Sequence, residues 1–204
     1  MALRARTSDD QSGGKQTFTR AAGTIADLDG IKTSAATSTS PVVFSGGQLA
    51  GADMARMNAG TAPPRSISVT TSAQASQYAT GAGNPIRITG TFKGASQSED
   101  LLLTLANGGE TIRGSKLFDT VTQIDVPAQL GTSGAMQFGT EDIGAPEGKH
   151  FGGVRGYGTG NLKVRYNEDP NTDDTLPFTA DRLETILASR IIANGTSVGV
   201  TVYV

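Results

Sequence analysis

The sequence predicts a mainly β protein: an antiparallel β-sandwich or barrel-like domain with one C-terminal helix, preceded by a flexible, extended N-terminal arm. Three observations lead there. Glycine is abundant (27 of 204 residues) while tryptophan is absent and aromatics make up 5%, which suits many turns and thin layers better than large helical cores. From Arg65 onward, apolar and polar residues alternate with period two in run after run, with turn residues between the runs. Before about residue 40 no period is sustained.

Residues 1–40 hold few large apolar side chains, namely Leu3, Phe18, Ile25, Leu28 and Ile31, amid Ser, Thr, Gly and Ala. That is too little apolar surface to offset the entropy of ordering, so the segment reads as a flexible arm whose Phe18, Ile25, Leu28 and Ile31 are anchors for a partner. Residues 41–64 combine a short strand, Pro41-Val42-Val43-Phe44, with Gly46-Gly47 and the diproline Pro63-Pro64, and read as a linker or short strand region. Each proline there removes a backbone donor and pushes its predecessor out of helical space.

The β-rich domain is then expected over 65–204. Its first strand alternates Ile67 and Val69 against Ser and Thr, and the next places Ile86, Ile88 and Phe92 on one face. Residues 98–105 and 110–114 flank Asn107-Gly108, a hairpin signal. Residues 116–127 read as one strand with Phe118, Thr120, Thr122, Ile124 and Val126 on one side, continued by 135–138 after a Gly131–Gly134 turn. Strands in succession without an intervening helix imply antiparallel pairing. After a glycine-rich stretch (144–160), residues 161–166 turn Leu162, Val164 and Tyr166 inward. A helix is expected at about 180–193, with Thr179 as N-cap, Asp181 and Glu184 in the first turn, and a stripe of Leu183, Ile186, Leu187 and Ile191 ended by Asn194-Gly195. Residues 197–204 close the chain as a strand with Val198, Val200, Val202 and Val204 on one face.

Charge and composition exclude several function classes. A net charge of −2 and a pI near 5.4 give no basic footprint for phosphates, so no nucleic acid partner is expected. With no cysteine there is no disulfide, thiolate zinc site or cysteine nucleophile. No run approaches the roughly 20 apolar residues of a membrane span, and Met1-Ala-Leu-Arg-Ala-Arg-Thr7 lacks a signal-peptide core, so synthesis in the cytoplasm and no membrane partner are expected.

Single motifs point the same way. A catalytic triad or histidine metal cluster would have to be built on the lone His150, in a glycine-flanked loop that suggests no orienting partner. The glycines of 153–160 precede a strand, whereas a phosphate loop leads into a helix. The oxygen-rich 168–174 segment lacks EF-hand spacing and reads as a solvated acidic loop, with calcium as the alternative. Glu141, Asp142 and Glu147 carry no sign of a common pocket. The expectation is a non-enzyme without catalytic residues, cofactor or metal.

Over residues 65–143 the order of motifs resembles that of tailed-bacteriophage virion structural proteins. The pattern is Arg-Ser-Ile-Ser-Val-Thr-Thr, Asn-Pro-Ile-Arg-Ile-Thr-Gly-Thr, Ser-Glu-Asp-Leu-Leu-Leu-Thr, then Gly-Ser-Lys-Leu-Phe-Asp-Thr-Val-Thr-Gln-Ile-Asp-Val-Pro-Ala. The resemblance implies a small β-sandwich module of the virion. The expected role is head decoration (cement) on the outer surface, with the major capsid protein and further copies of the chain, as a trimer, for partners. A neck, tail or baseplate role is the alternative, and a host-glycan-binding module, short of stacking aromatics, ranks below it.

Overall fold

The computed structural model describes residues 17–19, 26–60, 62–145, 151, 153–157, 159–166, 173–179, 183–184, 188–193, 196 and 199–203. The described strands are β1 (Thr17–Thr19), β2 (Asp27–Ala36), β3 (Val42–Ser45), β4 (Arg65–Thr71), β5 (Ile86–Phe92), β6 (Ala95–Leu101), β7 (Thr111–Phe118), β8 (Thr120–Val126) and β9 (Ala135–Gly144), followed by six further strands. β2 pairs with β9, β3 with β8, β4 with β7 and β5 with β6, all antiparallel. The eight strands therefore form one long ribbon folded at the β5–β6 turn. Two further pairings, β9 with β4 and β8 with β5, roll that ribbon into the facing sheets β2-β9-β4-β7 and β3-β8-β5-β6. This is the strand order of a jelly roll.

The ribbon turns at Lys93 and Gly94, both with positive φ (52° and 75°), as a turn matching the right-handed twist of its strands demands. Between the sheets lie Ile31, Ile67, Val69, Ile86, Ile88, Phe118, Val121, Ile124, Met136 and Phe138, so every second residue of the strands supplies the core. The helix α1 (Ala52–Asn58) adds Met54 and Met57, with Asp53 in its first turn and Arg56 in its last complementing the dipole.

A second, smaller β unit grows from the end of β9. It comprises β10 (Gly153–Tyr157), β11 (Gly160–Arg165), β12 (Asp173–Phe178), β13 (Leu183–Glu184), β14 (Arg190–Ile191) and β15 (Gly199–Tyr203). β14 pairs with Ile143 and Gly144 of β9 and carries β11 and β12 beyond it, while β1-β15-β10-β13 form a separate four-stranded sheet. Ile143, Phe151, Val154, Leu162, Val164, Phe178, Ile191 and Val200 make a core of their own. β9 serves both cores. A register irregularity opposite Arg65–Ile67 lets Met136 and Phe138 face one core and Ile143 the other.

The antiparallel, mainly β character with one α-helix among the described residues agrees with the sequence, but five details differ. The helix is α1, in the segment read as a linker. In the 180–193 window, Leu183–Glu184 and Arg190–Ile191 are strands and Ala188 bridges Phe151, while 180–182 and 185–187, including Ile186 and Leu187, lie outside the described residues. Ala188 and Ile191 meet apolar partners in a sheet rather than along a helix face, and that context overrides the period of 3.6.

The arm also ends earlier than expected, since residues 27–36 are strand β2 of the sandwich. Asn107-Gly108 forms a turn, with positive φ at Gly108 and Gly109, but joins β6 to β7 in opposite sheets rather than closing a hairpin. Residues 116–127 divide at Asp119, where the chain crosses between sheets. A register shift on β8 then places Val121 inside, so that Thr122 is exposed. Tyr166 falls past the end of β11 and is 39% exposed.

Candidate functional site

The four residues expected to anchor a partner are not equivalent. Ile31 is fully buried in the sandwich core and is unavailable to a partner, whereas Leu28, three residues earlier on β2, is 46% exposed. Phe18 lies on β1, opposite Val202 of β15, and Ile25 lies outside the described residues. So do His150, Glu147 and positions 168–172.

The charged residues that alternation leaves inside or between sheets tie elements together. Asp53 of α1, Thr140 of β9 and Arg65 of β4 are all buried. Arg65 Nη2 donates to Thr140 Oγ1 (3.0 Å), and Thr140 Oγ1 in turn donates to Asp53 Oδ2, fastening the helix to the sheet. Asp142 accepts the Ala193 N–H (2.9 Å), and its own N–H donates to Ser66 Oγ (2.9 Å). Arg190 lies 3.6 Å from Asp142 and donates to the Ser115 carbonyl (2.8 Å), which joins the two β units. Asp173 takes both arms of Arg165 (2.6 and 3.2 Å), and the hydrogen bond from Arg165 holds its carboxyl below the usual range.

Glu141 is 2% exposed, and burial pushes its carboxyl up although Arg113 Nε lies 3.4 Å away. The Thr140 hydroxyl that donates to Asp53 is fully buried with it, and no group of three or more metal-ligating side chains occurs among the described residues.

What the arrangement offers is surface. On the outer face of β3-β8-β5-β6, the registers Val42↔Val126, Arg87↔Asp125 and Ile86↔Leu101 extend by one residue to align Pro41, Pro127, Pro85 and Leu102 in a row across the sheet. Beside that row Val43 is 51% exposed, and the prolines line an open groove of about 380 Å³. The exposed pair Arg87–Asp100 (2.7 and 2.9 Å) borders it. Two further exposed leucines, Leu105 (50%) and Leu130 (61%), sit on loops that both bond to Gln77: Leu130 N–H donates to the Gln77 carbonyl and Gln77 N–H to that of Ala106, each at 3.1 Å. The sequence places Pro41 and Pro127 in strands, and only the registers show that the prolines form one row.

Comparison with protein families, with curated proteins and with solved structures finds no match to this chain.

Proposed function

We propose that this chain is a structural protein of a tailed-phage particle, a decoration (cement) protein on the outer surface of the head, and not an enzyme. The observation that carries the reading is the jelly-roll strand order, a topology that recurs in capsid and lectin domains. Fold alone is an analogy. It gains weight because the resemblance to virion proteins over 65–143 coincides with β4 to β9, the body of the roll.

The partners in this reading are the major capsid protein and two more copies of the chain in a trimer. The exposed proline row and Leu105 and Leu130 supply apolar contacts. A protein that binds only the assembled lattice stabilises it by mass action, and repeated contacts across the shell multiply the effect. The test is quantitation in purified particles of the virus that encodes the chain. Head decoration predicts copies in proportion to the major capsid protein. A small fixed fraction of that number would point instead to the neck, tail or baseplate, and absence from particles would refute a virion role.

A further inference from the structure

The sheet β3-β8-β5-β6 has two edges, and they are finished differently. At β6 the seam with β7 is sealed by side chains. Glu99 accepts the Ser115 and Lys116 N–H groups (2.7 and 3.1 Å), Lys116 Nζ donates to the Ser98 carbonyl (2.7 Å), and the Gln97 amide donates to the Leu117 carbonyl. Charges and covered backbone keep such an edge from pairing with another chain. β3 has no such protection. From Thr33 to Ala52 the chain carries no charge, and Val43 is 51% exposed. The ammonium of Lys32 is folded over the Phe44 ring and donates to the Gln48 carbonyl (3.3 Å).

The registers decide which backbone groups β3 leaves bare. A two-residue hairpin turn is closed by a hydrogen-bonded pair, here Phe92 and Ala95. Bonded pairs alternate along an antiparallel ladder, so Ile86 and Ile88 also bond to β6, while Arg87 and Thr89 bond to Asp125 and Gln123 of β8. That leaves Val126 and Ile124 to bond Val42 and Phe44, and it points the N–H and C=O of Val43 and Ser45 away from the sheet. The Ser45 N–H is taken by Gln48 Oε1 (3.2 Å), Pro41 has no N–H, and no other element among the described residues bonds to Val43. The bare donor of this edge, among the described residues, is the Val43 N–H.

We propose that β3 docks against β3 of a second copy of this chain, antiparallel about a twofold axis at Val43. In an antiparallel ladder a residue paired with its own copy exchanges two hydrogen bonds, so each Val43 N–H meets the other copy's Val43 carbonyl. The flanking pairs set Pro41 against Ser45 of the other copy. They need no further acceptor, because Pro41 has no donor and that of Ser45 is already bonded. The edge is thus complementary to itself, and without charges in the strand no like charges meet. Val43 also lines the open groove with Pro41 and Pro127, and the twofold sets the grooves of both copies side by side as one apolar strip. The inference does not rest on the virion reading, since a twofold contact joins copies in pairs, separately from the trimer of that reading.

The chain has no cysteine, so an introduced thiol is its only one. In the isolated full-length chain, Val43→Cys is expected to give a disulfide-linked homodimer on oxidation, because a hydrogen-bonded pair holds its Cα atoms about 5.5 Å apart, within disulfide reach. Ser45→Cys, on the same strand, is expected to stay unlinked, since the two copies of that residue lie about 13 Å apart along the strands. Val43→Pro removes the bare donor where an edge strand tolerates proline, and it is expected to halve the mass measured by sedimentation with unchanged far-ultraviolet circular dichroism. The pairing is refuted if Val43→Cys gives no linked dimer, if Ser45→Cys links as readily, or if Val43→Pro folds and keeps the mass of the parent. If Val43→Pro does not fold, the two cysteine variants decide.

Discussion

Truncating Ile31 distinguishes a sandwich strand from a loose arm. Ile31→Ala removes three carbons from a side chain that is fully buried between the sheets. At about 0.8 kcal/mol per buried methylene the transfer loss alone is about 2.4 kcal/mol. The cavity left behind brings the expected cost to about 2–5 kcal/mol. Leu28→Ala, on the same strand but 46% exposed, is expected to change stability by less than about 0.5 kcal/mol. Urea unfolding followed by far-ultraviolet circular dichroism reads both. With a slope of about 2 kcal/mol/M, Ile31→Ala should lower the midpoint by about 1–2.5 M and Leu28→Ala should leave it within about 0.25 M. If Ile31→Ala behaves like Leu28→Ala, residues 27–36 are not part of the folded sandwich, and the jelly-roll assignment loses its first strand.

Three other substitutions test particular contacts. A Cβ at Gly90 would lie 2.0 Å from the Thr120 carbonyl and 2.9 Å from the Phe118 ring, so Gly90→Ala should cost about 1–3 kcal/mol in the same unfolding assay; no loss would mean that β5 and β8 are not so close. Because Arg165 holds the Asp173 carboxyl low, its contribution is present above the ordinary carboxylate pKa and fades as pH falls through the lowered one. Asp173→Asn should therefore lose up to about 1 kcal/mol near neutral pH and match the parent in strong acid, and a gap that stays constant with pH would exclude the ion pair as its cause. Glu141 has the opposite sign: its carboxyl is raised by burial, so the favourable contribution of its protonated form is lost as pH rises through that raised value. Glu141→Gln should thus be more stable than the parent at neutral pH and equal to it in acid, whereas destabilisation at neutral pH would show that the Arg113 contact outweighs the burial cost.

Local patterns that carry their own answer were readable in the chain. Ile67 and Val69, Ile86 and Ile88, and Leu162 and Val164 alternate in strands, and all are buried. Readings failed where a distant partner decides the outcome. Leu183 and Ile191 share a helical stripe in the sequence, yet one is 60% exposed at a sheet edge and the other buried beside β9. Residues 27–36, with Asp, Gly, Lys and Ser between few apolar residues, have no period of their own. They become a strand because β9 offers an unpaired edge, and register irregularities mark the compromise. Asn107-Gly108 shows the limit of a turn signal, which specifies a reversal of direction but not whether the strands on either side share a sheet. The proline row is legible only after registers are known, because Pro41, Pro85 and Pro127 belong to three different loops.

The proposal that this chain is a structural component of a phage head exterior is tested most directly by a near-atomic electron-microscopy map of purified phage particles produced from the genome that carries its gene. The account predicts density for the jelly roll, with its β3-β8-β5-β6 and β2-β9-β4-β7 sheets, repeated over the outside of the head lattice and touching the major capsid protein. A map in which the head exterior is fully explained by other chains, with this one absent or confined to the tail, would contradict it.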